Sequence, residues 1–169
     1  MGDDPSIPPT YAQLQELELL TRVIKETLRL FPPGDFLART SPKDLQIAGY
    51  TIPAGATLSV CIYAMHRDPK YWKNPHDFDP DRFLPEEISK RNPNCYIPFS
   101  SGPRNCLGYK YAMLQMKTTI STIIRRFHII PGDTCKTMAD TRFEFGTTLI
   151  PLQGNDIKLV HRLPKTLVS

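Results

Sequence analysis

Phe99, Gly102, Arg104, Cys106 and Gly108 stand in the order F-x-x-G-x-R-x-C-x-G, a pattern that packing alone does not require. The run that follows repeats apolar residues at helical intervals, which predicts a helix over 107–126 with Cys106 at its N-terminus. Unbonded amide groups and the positive end of the macrodipole lie at such an end, and a thiol placed there ionises readily. Arg104 adds a cation two residues away, while Gly102 and Gly108 permit backbone geometry and close approach that a side chain would block. A lone thiolate under a flat approach surface suits a metal centre that needs one protein ligand. Two other roles stay open on these residues alone. Most single cysteines are small buried hydrophobes, and a nucleophilic thiol is a third possibility, although no His lies close to Cys106 in sequence.

The elements that must position this loop are legible upstream. Thr10 with Gln13 reads as an N-cap and capping box opening a helix over 10–31, with Leu14, Leu17, Thr21, Ile24 and Leu28 on one face and Pro32-Pro33-Gly34 beyond its end. Glu26 and Arg29 sit three apart on that helix, away from the Leu/Ile face, so their spacing alone predicts a solvated ion pair. Residues 36–62 alternate in short runs around Gly49 and again after Pro53-Ala54-Gly55, which predicts a small sheet. A coil rich in Pro, Asn and aromatic residues fills 66–97, with His66 and His76 in polar or capping roles, since neither has a partner at ligand spacing. After the cysteine loop over 98–108, Met113, Met116, Ile120, Ile123 and Phe127 make a core-facing stripe. In the final stretch, 127–169, Phe143–Leu152 and Ile157–Leu163 read as two strands joined by a Q-G-N-D turn.

Composition bounds the rest. The 169 residues suit one domain or a large piece of one, and a net charge of +4 without a basic block gives no argument for nucleic acid. Pro accounts for 17 of the 169 residues, so much of the chain is expected to be ordered coil. The four cysteines show no C-x-x-C pair and no zinc-like spacing, and Cys61, Cys95 and Cys135 read as structural thiols of a reducing compartment. Residues 1–9 read as a tail. Met1-Gly2 with Ser6 formally matches an N-myristoylation pattern, a short motif with a high false-positive rate. No apolar run reaches the length of a membrane span.

The cysteine pattern resembles the haem-binding loop of the cytochrome P-450 superfamily, and the resemblance extends in order from E-T-L-R at Glu26 to the C-terminal strands. The wording K-E-T-L-R-L-F-P-P, H-R-D-P-K-Y-W and P-F-S-S-G-P-R-N-C-L-G is most similar to the family 4 branch from animals. The resemblance implies an α+β segment of a mainly α parent fold: the C-terminal, haem-binding part, with the E-x-x-R helix, small sheet, meander, cysteine loop, proximal helix and C-terminal strands. It implies that Cys106 is the axial ligand of haem iron, whose thiolate pushes electron density toward the metal. It places Arg104 and Arg39 on the haem propionates and Phe99 beneath the ring. It also makes Glu26, Arg29 and Arg82, the last in P-D-R-F with Asp81 where many relatives have Glu, a structural triad that locks the coil under the haem.

By the same resemblance the cofactor is haem b, with O₂ and NADPH-derived electrons delivered by NADPH-cytochrome reductase and with cytochrome b5 as a second donor. The substrate would be a small lipophilic molecule of the fatty acid, hormone or xenobiotic class, and a complete member would sit on the cytosolic face of the endoplasmic reticulum membrane, whereas this chain has no anchor of its own. Lys90, Arg91, Lys110 and Lys117 flank the cysteine loop and suit a basic docking face for an acidic reductase, solvation being the commoner fate of such residues. The distal helix that handles protons for bound oxygen has no counterpart in these residues, so no catalytic residue is assigned, and the isolated chain is expected to be inactive. The alternative is a truncated, non-catalytic product that binds haem or a partner.

Overall fold

The computed structural model describes residues 6–134, 136–146, 148–152 and 156–162, and it mixes helices with short strands. Residues 1–5 of the tail, including Gly2 of the myristoylation pattern, together with Cys135 and most of the Q-G-N-D turn, lie outside the described residues. The chain divides into two compact units: Met1–Ile24 with Leu107–Glu144 and Ile150–Ser169, and Lys25–Cys106 with Phe145–Leu149.

In the first unit Thr10 caps helix α1, Tyr11–Gln15, with its hydroxyl accepting from the Gln13 amide while the Gln13 side chain accepts from the Thr10 amide. The expected helix over 10–31 is interrupted: α2 spans Glu18–Leu30, and Glu16 and Leu17 lie between the two helices. The Glu18 amide bonds the Glu16 carbonyl at 2.9 Å instead of reaching back to Leu14. The carbonyl of buried Leu14 accepts from the Lys117 ammonium at 3.1 Å, so a cation fills the place that an amide would take in a continuous helix.

Lys117 lies on helix α5, Tyr109–Arg126, whose first residue is two later than expected. The buried residues of α5 are Lys117 and Ser121, whereas Met113, Met116, Ile120 and Ile123 are half-buried. The expected Met/Ile stripe is therefore displaced as the innermost face. Lys117 buries its methylene stem and keeps its charge on a carbonyl, and the Ser121 hydroxyl donates to the Thr118 carbonyl at 3.1 Å. This placement also removes Lys117 from the basic docking face expected for it.

The C-terminal strands differ in partnership from expectation. The stretch read as one strand over 143–152 is two, β6 at Phe143–Phe145 and β7 at Leu149–Pro151, which pair with each other. The last strand, β8 at Ile157–His161, pairs antiparallel with β5 at Phe127–Pro131, from Phe127 opposite His161 to Pro131 opposite Ile157. Pairing with the nearest strand in sequence is a default that the period-2 pattern cannot override.

In the second unit, residues Lys25–Leu30 of α2 lead through Phe31 and buried Pro32 to strand β1, Phe36–Thr40. β1 pairs antiparallel with β4, Thr57–Cys61, and β2 at Leu45–Ile47 pairs with β3 at Tyr50–Ile52. The β2–β3 turn places Ala48 at φ 50° and Gly49 at φ 85°, the left-handed pair that a tight two-residue hairpin requires. The single small sheet expected over 36–62 is thus two separate two-stranded ribbons. A short helix α3, Ile62–Met65, follows, with the Ile62 and Tyr63 amides bonded to the Asp35 carbonyl. The coil expected over 66–97 carries three short helical pieces, a 3-10 turn at Pro80–Phe83, helix α4 at Pro85–Ser89 and a 3-10 turn at Pro93–Cys95, each opened by its proline.

Candidate functional site

The second unit holds a buried polar node around Glu26. Its Oε2 accepts from Arg29 Nε at 2.8 Å and its Oε1 from Arg29 Nη2 at 2.8 Å, a planar two-point contact, and neither side chain is exposed. Glu26 Oε1 also accepts from the Asp79 amide at 2.8 Å and lies 3.4 Å from Arg82 Nε. Arg29 spends its remaining donors on carbonyls of the coil: His66 at 2.9 Å, Pro75 at 2.7 Å and Asp77 at 3.0 Å. Arg82 donates to the carbonyls of Lys73 and Asn74. The solvated pair that Glu26–Arg29 spacing alone predicts is therefore overturned. These two charges are enclosed because segments 37 to 48 residues downstream wrap over the helix face that bears them, contacts invisible to a helical-wheel argument.

An aromatic cluster packs beside the node. Trp72, Phe83 and Cys95 are buried with Tyr96 packed against them. The Trp72 ring lies 5.1 Å from the Arg29 guanidinium and 4.1 Å from that of Arg91, which also donates to the Arg82 carbonyl at 2.7 Å. Trp72 and Arg91 were not singled out as structural residues by the sequence. The signal that would have found them is the recurrence of single aromatic residues among the prolines of 66–97, since a coil without regular hydrogen bonding needs large side chains to bury its apolar area.

His66 couples this node to the cysteine loop. Its Nε2 accepts from the Ile97 amide at 3.0 Å, one residue before Pro98, and its carbonyl accepts from Arg29. Burial lowers the imidazole pKa from 6.5 to about 4, with the nearby Arg29 and Arg67 charges adding to the effect. Native His66 stays neutral while the unfolded chain takes up a proton below about pH 6.5, so stability is full above that pH and falls as pH drops toward 4. The difference is worth roughly 3 kcal/mol at its limit. The urea midpoint is expected to fall across this window, and His66→Gln, which keeps an acceptor for the Ile97 amide, is expected to flatten the dependence. Equal slopes in the two proteins would contradict this account.

The cysteine loop itself is shaped by Ser100 at φ 65° and Gly102 at φ 77° and closed by the Cys106 amide bonding the Phe99 carbonyl at 2.8 Å. A 3-10 turn at Gly102–Arg104 lies inside it. Cys106 is a free, exposed thiol, Phe99 is half-buried and Arg104 is exposed. Arg39, on β1, reaches the loop: its Nη2 lies 3.4 Å from both the Ser100 hydroxyl and the Arg104 carbonyl. The structure thus brings Arg39, Arg104, Phe99 and Cys106 together through one loop. Gly108 is the N-cap of α5. Neither Arg39 nor Arg104 has a carboxylate within ion-pair distance among the described residues. An exposed sulfur donor beside two guanidinium groups, one from the loop and one reaching it from β1, fits an iron porphyrin that carries two carboxylates. Among the described residues no three His, Cys, Asp or Glu side chains gather as metal ligands, and no helix is long and apolar enough to cross a membrane.

Comparison with known proteins bears on the same residues. A family model described as cytochrome P450 matches residues 2–155. The chain is 43% identical over 155 residues to human cytochrome P450 4V2, covering 92% of this chain and 29% of that protein. It is 44% identical over 139 residues to probable cytochrome P450 4d20 of Drosophila melanogaster, covering 82% of this chain and 27% of that protein. With cytochrome P450 4g1 of the same fly it shares 47% identity over 135 residues, 79% of this chain and 24% of that protein. The chain therefore spans less than a third of the length of these relatives.

Proposed function

The chain belongs to the cytochrome P450 family and is similar to its family 4 members, and from this premise we propose that it forms the proximal half of a haem-thiolate monooxygenase site. The observation that carries the reading is the exposed Cys106 thiol in a loop that also gathers Arg39 and the uncompensated Arg104. In this reading Cys106 is the iron ligand, Arg39 and Arg104 hold the propionates, and Phe99 shields the sulfur from water. Gly102 and Gly108 keep the loop's approach surface clear of side chains. When bound, haem b supplies the activation of O₂ from which one oxygen atom enters an organic substrate.

The remaining residues act by holding the loop still. Glu26, Arg29 and Arg82 fix the coil that leads to it, and His66 pins Ile97 immediately before it. A ligand loop positioned to within about 0.5 Å needs such a supporting layer. Electrons would come from NADPH through NADPH-cytochrome reductase or cytochrome b5, at the cytosolic face of the endoplasmic reticulum. A small lipophilic substrate, of the fatty acid, hormone or xenobiotic class, fits the family 4 resemblance. The 169 residues alone are expected to give no turnover, because a porphyrin covered on one side keeps much of its apolar surface in water.

The test is a chimera in which this chain replaces the matching segment of the human relative, supplied with reductase, NADPH and isotopically labelled dioxygen. The product of a lauric acid incubation is expected to carry one labelled oxygen atom, lost in the Cys106→Ala chimera. Product formation that survives loss of the sulfur would contradict the proposal.

A further inference from the structure

The second unit holds a cavity of about 390 Å³ away from the cysteine loop, at the start and the middle of the coil. Its size falls at the lower end of small-molecule sites. Lys70, Lys73, Arg82, Lys90 and Arg91 line it against the single carboxylate of Glu87. Two of these cations are already compensated. Lys90 bonds Glu87 at 2.7 Å, and Arg82 faces Glu26 at 3.4 Å while donating to two carbonyls.

Lys70, Lys73 and Arg91 have no carboxylate within ion-pair distance among the described residues. Arg91 is half-buried, so its charge is partly desolvated, and the Glu26 and Glu87 carboxylates act on it only from beyond ion-pair distance among the described residues, a state that an anion in direct contact would relieve. Its guanidinium is fixed in place by the Arg82 carbonyl and by stacking over Trp72. A pre-oriented guanidinium fork with two exposed ammonium groups beside it is the donor set that suits phosphate oxygens. One phosphate carries roughly −1.5 to −2 at neutral pH, so two phosphates balance three such cations. We propose that this cavity binds a small diphosphate-bearing anion, free or as a lipid headgroup, at a site separate from the haem loop and independent of the haem reading.

Trp72 is the one tryptophan of the chain and lies under Arg91, so its fluorescence reports on the site. Titrating the chain with inorganic pyrophosphate at low salt is expected to give a saturable change in Trp72 emission. Lys70→Ala and Lys73→Ala are each expected to weaken the apparent affinity about tenfold, since each removes a charged hydrogen bond, while leaving the buried-type emission maximum unchanged. A parallel arm uses phosphatidylcholine vesicles with and without phosphatidylinositol bisphosphate. Tighter binding to the phosphoinositide vesicles than to pyrophosphate assigns the lipid source, and the reverse assigns a soluble one; both support the site. Absence of saturation with both probes in a chain of native emission overturns it. So does an affinity in both lysine variants equal to that of the parent chain, or a response to an acidic protein surface without any response to pyrophosphate.

Discussion

Glu26→Ala is expected to destabilise the chain by about 3–5 kcal/mol, a large part of the stability of a typical domain. The reason is the arrangement around the carboxylate. Removing it leaves the fully buried Arg29 guanidinium with no counter-charge, leaves Arg82 without its nearest carboxylate and orphans the Asp79 amide. Glu26→Gln keeps one acceptor oxygen but neither the charge nor the second acceptor, and its cost is expected to be smaller than that of Glu26→Ala. Replacing Arg29 by Lys is not a conservative alternative, because an ammonium cannot make the two-point contact and reach the His66, Pro75 and Asp77 carbonyls together. Urea unfolding of the three variants measures this directly. A cost below about 1 kcal/mol for Glu26→Ala would place the pair among weak surface bridges and refute the buried-node account.

Trp72→Ala is expected to cost a similar amount, about 3–5 kcal/mol. The indole is 1% exposed and touches both the aromatic cluster and two guanidinium groups. Truncation to Ala opens a cavity where the coil has no regular hydrogen bonding to resist collapse. The Phe variant is the informative control. The indole N–H is buried with no partner among the described residues, so Trp72→Phe removes an unsatisfied donor along with some contact area, and its cost is expected to stay near 1 kcal/mol or below. Chemical unfolding followed by circular dichroism checks both. Equal losses for Ala and Phe would show that packing area is not what holds the coil here.

Local signals in the sequence located several elements well. The capping box at Thr10, the end of α2 before Pro32-Pro33-Gly34 and the hairpin turn at Ala48-Gly49 are each dictated by residues within a few positions of one another. What escaped depends on distant partners. The break at Glu16–Leu17 is hidden because Leu14, Leu17 and Thr21 keep the helical period across it, and the Lys117 ammonium that takes the Leu14 carbonyl arrives from 103 residues away. Glu26 and Arg29 looked solvent-facing because only their own helix was in view. The pairing of β5 with β8 skips the hairpin between them, and nothing in an alternating pattern names its partner. At the site, the identities of Cys106, Arg104 and Arg39 were visible as types. The contact that gathers Arg39 to the loop through Ser100 and the Arg104 carbonyl was not, since it depends on how β1 is held in space.

The central claim is that the Cys106 sulfur is the protein's bond to haem iron. It is tested by loading the chimera that carries this chain in the human relative with haem and recording the absorption spectrum after reduction and addition of carbon monoxide, for the parent chimera and for its Cys106→Ala variant. The account predicts a thiolate-type Soret band in the parent and its absence in the variant. A band that is missing from the parent, or that persists unchanged without the sulfur, would contradict it.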